Sequence, residues 1–207
     1  MNRKHLVLIG FVFVFLLSSF FTPKDKIILP FKLKSATTNK WVSLTDYKKS
    51  KGFVVVFLSN KCPMAKLYTN RLNEINAKYS KYGVSLLAIN AMDTLAYADE
   101  SFKKMQKKVK NDKLNFPYLQ DKNQIVVKQF GAKNTPQAFI IWKNKLDKFE
   151  IKYEGAIDDN AGEAEKAEHH YLISAVDELL KGKQITTPKS ESFGCQIFIR
   201  GEKQKMN

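Results

Sequence analysis

The chain has 207 residues, of which 44% are apolar and 12% aromatic, enough for one domain with a real core plus short extensions, and this excludes a chain disordered throughout. Lys and Arg number 35 against 20 Asp and Glu, a formal net charge of +15. Only Arg3, Arg71 and Arg200 are arginines, and no nucleic-acid motif accompanies the scattered lysines, so the excess reads as a solvated basic surface and no nucleic-acid partner is expected.

Residues 1–25 begin with basic Arg3 and Lys4 and continue into an uncharged, largely apolar run over 6–21, the order of a secretory leader. The run is long for a leader core and slightly short of the roughly 20 residues that span a bilayer. Ser18 and Ser19 are followed by bulky Phe20 and Phe21, an awkward cleavage neighbourhood. A cleaved signal peptide and a retained N-terminal membrane anchor over 6–21 therefore both stay open. In either case the remainder is expected to be exported to a periplasmic or other extracytoplasmic space, where disulfides persist. The predicted organisation is this leader or anchor at 1–25, a folded domain at 26–183, and a tail at 184–207 that carries Cys195.

Short apolar pieces around a polar turn at 36–40 predict an N-terminal hairpin. Residues 53–58 are an unbroken β-branched and aromatic run, expected as a central strand buried on both faces. From Pro63 the period changes. Met64, Tyr68, Leu72, Ile75, Tyr79 and Tyr82 fall on one helical face, and Gly83 supplies the stop. Residues 84–90 then read as a parallel partner strand, completing a βαβ unit. Phe102, Met105 and Val109 mark a charged helix, 116–121 a short extended stretch, and 123–132 a short helix closed by Gly131. Thr135-Pro136 leads into an apolar strand at 138–142, followed by the turn and alternation of a hairpin's second arm. Tyr171, Leu172, Ala175, Val176, Leu179 and Leu180 form the stripe of a last helix, with His169 and His170 expected on its surface.

Cys62 sits where the strand pattern becomes a helix pattern, with Pro63 at the first helical position, where a missing N–H does no harm. The helix start and the neighbouring Lys61 are both expected to favour thiolate over thiol, and the thiolate is the nucleophile of sulfur chemistry. The bland alternative is an inert core cysteine. Two cysteines 133 positions apart and an adjacent histidine pair have no zinc spacing, so no metal site and no cofactor are expected.

The order of elements is that of an α/β, thioredoxin-like three-layer sandwich with a central mixed sheet and an N-terminal hairpin extension. Over about residues 26–180 the chain resembles the redoxin, or AhpC/TSA-like, branch of the thioredoxin superfamily, on the segments FVVVFLSNKCPMAK, FPYLQDKNQIVVKQFGAKNTPQAFII and YEGAIDD. It is similar to thioredoxin-like proteins with a single Cys-Pro in the active-site loop and an FGC ending, which Phe193-Gly194-Cys195 matches. The resemblance implies that Pro136 is a cis-proline beside Cys62, with Thr135 before it, and that Cys195 resolves the intermediate formed on Cys62. Pro63, Thr135, Pro136 and Ser59 are accordingly the expected substrate-binding residues.

Two departures from the family pattern matter. Ala65 occupies the place of the second cysteine of a Cys-x-x-Cys pair, so local dithiol exchange is impossible. Peroxiredoxins carry Pro-x-x-x-Thr-x-x-Cys, whereas here Ser59 fills the hydroxyl position, Val55 replaces the proline, and no arginine follows Pro136 until Arg200. The expected activity is thiol-disulfide exchange on a protein or small-molecule disulfide, reset by an external thiol reductant. A peroxide reductase is one alternative, and a non-catalytic binding domain stapled by a Cys62–Cys195 bond is the other.

Overall fold

The computed structural model describes residues 26–202. The expected leader or anchor lies outside the described residues, and among those described no helix is long and apolar enough to cross a membrane. In chain order the elements are β1 (Ile27–Ile28), β2 (Lys32–Ser35), β3 (Trp41–Ser43), β4 (Gly52–Phe57), α1 (Pro63–Leu67), α2 (Thr69–Tyr79), β5 (Val84–Asn90) and α3 (Phe102–Asn111). There follow β6 (Tyr118–Gln120), α4 (Ile125–Phe130), β7 (Asn134–Thr135), β8 (Gln137–Lys143), β9 (Phe149–Gly155), α5 (Tyr171–Leu180) and β10 (Cys195–Gln196).

Eight strands form one mixed sheet in the order β1-β9-β8-β4-β5-β6-β2-β3, with β4, β5 and β6 parallel and the remaining pairings antiparallel. Every residue of β4 is buried, as its apolar run requires for a strand covered on both faces. Alternation along β4 divides the core in two. Val54 and Val56 join Leu72, Ile75 and Tyr79 of α2 and Leu172 and Val176 of α5, while Phe53, Val55 and Phe57 join Val126, Val127 and Phe130 of α4. Three layers result, α/β/α. The expected hairpin is β2–β3, and β2 also pairs with β6, so the hairpin is the edge of the main sheet.

The expected single helix from Pro63 is two. Tyr68 interrupts it at φ −88° and ψ −3°, α2 ends at Tyr79, and a 3₁₀ turn follows over Ser80–Tyr82. Tyr82 is 51% exposed, so it leaves the apolar face it was expected to share. The break lets the Tyr68 hydroxyl turn to Asp158, 3.0 Å away. Gly83 does close the segment, at φ +82°, a conformation that suits glycine. His169 and His170 precede α5, with His170 at its N-cap position.

Leu72 is fully buried between α2 and the sheet. Leu72→Ala is expected to destabilise the domain by about 2–5 kcal/mol, read as a lower urea midpoint at unchanged slope.

Candidate active site

The antiparallel register of β4 and β8 sets Phe57 opposite Gln137. Leu58 N–H donates to the Ile89 carbonyl at 2.9 Å, so the chain stays extended for one residue beyond β4. It then turns off the sheet as a loop over 59–62, beside the segment that enters β8. The Ser59 hydroxyl lies 3.1 Å from the Thr135 hydroxyl and accepts the Cys62 N–H at 3.3 Å. Ser59 and Thr135 are both buried, and their hydroxyls tie the two segments to each other. The Thr135–Pro136 peptide is cis.

A residue that the pattern of the sequence did not reveal holds the loop from behind. Glu100 is only 3% exposed, yet its carboxylate accepts the Asn60 N–H at 2.7 Å, the Lys61 N–H at 3.1 Å and the Asn90 amide at 2.7 Å. The fully buried Tyr118 hydroxyl donates to the Asn60 side-chain carbonyl at 3.0 Å and accepts from Asn90 at 3.1 Å. Burial first, and the Glu100 charge second, push the Tyr118 hydroxyl well above its usual range, so it stays a protonated donor. Backbone donors aimed at a buried carboxylate give strong, charge-assisted bonds, and here they fix the two residues preceding the cysteine. Glu100 lies in a short 3₁₀ turn with no periodicity, and only its place in space marks it.

Cys62 stands at the N-cap of α1 with Pro63 following. It is bonded to Cys195, with the Cα atoms 5.9 Å apart across 133 positions of sequence. The Cys62 sulfur is 3.0 Å from the Thr135 carbonyl oxygen. A bonded sulfur has no proton to donate, but in a reduced protein this oxygen is placed to accept the S–H, an effect opposite in sense to that of the helix start. The cation expected from Lys61 is directed elsewhere: its ammonium pairs with Asp99 at 3.4 Å on the surface. That ammonium in turn holds the Asp99 carboxyl below the usual carboxylate range.

The tail reaches Cys62 because it is held on both sides of Cys195. Upstream, Ser190 N–H donates to the Glu154 carbonyl at 3.1 Å, and the Ser190 hydroxyl accepts the Ala156 N–H at 2.9 Å. Downstream, the Gln124 side chain donates to the Phe198 carbonyl and accepts the Arg200 N–H, each at 2.8 Å. The Arg200 guanidinium closes the clasp on Asp93 at 2.5 Å and draws that carboxyl below its ordinary range. Beside Pro136 and Met64 opens a groove of about 460 Å³, rimmed by Lys189 and Phe193. Its floor carries Asp158, which is paired with Arg71 and accepts the Tyr68 hydroxyl. Burial and Asp158 push that hydroxyl up, so Tyr68 also remains a donor.

Removing the Glu100 carboxylate leaves the buried Asn60 amide without an acceptor, at roughly 1–3 kcal/mol, and frees the part-buried Lys61 amide at a smaller cost. Glu100→Ala is expected to lower stability accordingly and to abolish the protection of these two amides in hydrogen exchange, while α5 amides lose protection only by the amount of the global destabilisation.

The model of the AhpC/TSA family matches residues 25–149. Among curated proteins, the thiol-disulfide oxidoreductase ResA of Bacillus thuringiensis is 29% identical over 153 residues, spanning 72% of this chain and 84% of ResA. The ResA of Bacillus cereus is 28% identical over the same extent. Among solved structures, a hypothetical protein of Sinorhizobium meliloti superposes with a TM-score of 0.76 at 31% identity, covering 86% of this chain and 95% of that one. An uncharacterised conserved protein of Geobacillus kaustophilus gives 0.77 at 29% identity, covering 86% and 93%. With the family model matching more than half of its length, and the three-layer sandwich and Cys-Pro loop in place, the chain belongs to the AhpC/TSA family of thioredoxin-like proteins.

Proposed function

We propose that the protein is a thiol-disulfide oxidoreductase whose redox pair is Cys62 and Cys195, working outside the cytoplasm. The observation that carries this reading is the bond between these cysteines at the Thr135–Pro136 edge, which supplies from the tail the second sulfur that Ala65 denies to the loop. The name of the ResA relatives agrees with it.

In the reduced protein the Cys62 thiolate attacks one sulfur of a substrate disulfide. The substrate S–S bond breaks, one substrate thiolate leaves and takes up a proton, and Cys62 keeps the other half as a mixed disulfide. Cys195, as thiolate, attacks Cys62 Sγ, releases the second substrate thiol and forms the internal bond. The substrate has gained two electrons and two protons, and the protein has lost them. In the oxidised protein Cys62 is 3% exposed while Cys195 is partly exposed, so a reductant thiolate meets the Cys195 sulfur first. Cys62 leaves as a thiolate, and a second thiolate of the reductant frees Cys195.

Disulfide exchange is favoured over peroxide reduction by the commitments of the arginines. Arg71 is held by Asp158 and by the Asn160 and Ala161 carbonyls, and Arg200 by Asp93, so neither guanidinium faces the sulfur. Val55, in the proline position of the peroxidase pattern, is paired on both sides at the centre of β4.

Cys62→Ser and Cys195→Ser are each expected to reduce multiple-turnover reduction of a disulfide substrate by roughly a hundredfold or more, as expected when either member of an obligate pair is lost. In glutathione buffers the wild-type bond is expected to open and close within the range of a cellular thiol pool. A bond that stays closed below about −300 mV would make it a structural staple. When the full chain is expressed in a bacterial host, it is expected outside the cytoplasm or on its membrane with Cys62–Cys195 oxidised. A reduced cytosolic protein would overturn the export reading.

A further inference from the structure

Among the described residues β7 has one strand partner, β10, and that partner is the protein's own tail. The pairing is antiparallel, with Cys195 opposite Thr135 and Gln196 opposite Asn134. Ile197 N–H continues it onto the Lys133 carbonyl at 2.7 Å, and the Asn134 side-chain amide donates to the Ser192 carbonyl at 2.9 Å. Residues 192–197 thus lie as an extended peptide along 133–135, with their cysteine disulfide-bonded to Cys62. A mixed disulfide with an external polypeptide has the same parts: backbone pairing along an open strand edge, side chains in adjoining sites, and one S–S bond.

From this seated peptide the demands of the edge can be read directly. A Cβ placed on Gly194 would lie 2.1 Å from the Thr135 carbonyl oxygen and 2.7 Å from its carbon, and Gly194 has φ +156°. Both atoms are backbone and not the far end of a flexible side chain, and the residue that carries them is tied to the loop through its own hydroxyl on Ser59, so the overlap is not relieved by a small side-chain shift. The position before the cysteine therefore admits glycine alone. Gln196, after the cysteine, points to solvent, while Ile197 is 5% exposed in the apolar cluster that contains α4. The pattern is Gly-Cys-x-apolar.

Resting on the proposed thiol-disulfide exchange, we infer that residues 194–197 are a tethered stand-in for the substrate. The site accepts an extended polypeptide in which glycine precedes the reactive cysteine and an apolar residue follows two positions after it. The tail keeps that edge closed until the internal bond is reduced and the strand leaves. The anchors at Ser190 and Gln124 raise the local concentration of the tail, so a free polypeptide competes only once the tail is unseated.

The test uses the full chain as Cys195→Ser and as the double variant Gly194→Ala, Cys195→Ser. Two synthetic peptides, residues 192–200 and the same peptide with alanine for glycine, carry their cysteine as a thionitrobenzoate mixed disulfide. Attack by Cys62 transfers the peptide sulfur to Cys62 and releases thionitrobenzoate, which is read by absorbance. The double variant is expected to react with the glycine peptide at least about tenfold faster than with the alanine peptide, and faster than the single variant does. In a protein with both cysteines, Gly194→Ala alone is expected to shift the glutathione equilibrium toward the reduced form by about tenfold or more. Equal rates for the two peptides, with rapid reaction toward a small aromatic disulfide, would overturn this inference and leave thiol exchange standing. A Cys62 inert to the small disulfide as well would remove both.

Discussion

The register of β4 against β8, with Phe57 opposite Gln137, obliges the chain leaving β4 to turn beside the chain entering β8. All of the candidate chemistry follows from that neighbourhood. The loop over 59–62 emerges at the same end of the sheet as Thr135, so a sulfur at the start of α1 and a β7 edge that pairs with no strand of the main sheet come within bonding distance of a third segment. Strand pairing is set by hydrogen bonds every few ångströms, which makes it a stiffer ruler than side-chain packing. Glu100 then adds local precision by taking the N–H groups that a loop would otherwise leave to water.

The tail is held in two different ways. A cross-link between positions 133 apart restricts the unfolded chain by about 4–5 kcal/mol on the loop-entropy model, whatever else the bond does. The non-covalent clasp, through Ser190, Gln124 and the Arg200–Asp93 pair, holds the tail on both sides of Cys195 by contacts that do not involve the sulfur bond. Acid weakens the far end of that clasp. The Asp93 carboxyl is held below its normal range, so its contribution is present above the unfolded value and is lost as pH falls through the folded one. A tail held this way suits the resolving role proposed for Cys195, because it already lies beside the sulfur it would attack.

Much of the architecture was legible in the sequence. The all-apolar runs of β4 and β5 declare strands covered on both faces, and the stripe from Leu72 to Tyr79 declares a helix against them. Where that reading overran, the cause lay in tertiary contacts. The helix breaks at Tyr68, whose hydroxyl is bound by Asp158 far along the chain, and Tyr82 follows a 3₁₀ turn into solvent. Lys61 was legible as a charge beside the cysteine, but Asp99, distant in sequence, captures its ammonium. Glu100, Gln124 and Ser190 left no mark at all, because the loop and tail contacts they make reach 34 to 76 positions along the chain and no short-range pattern encodes such pairs.

Taken alone, the sequence determined the α/β class, the order of strands and helices, the placing of Cys62 at a strand-to-helix junction and the lack of a second sulfur in its loop. These are local matters of period, turn chemistry and residue type. Only the tertiary structure decided which edge the tail would cover, that Cys195 would face Thr135 in register, and that Gly194 would press its missing side chain against a carbonyl. Such facts depend on which distant segments the sheet brings side by side, and that is settled by long-range hydrogen bonding and burial.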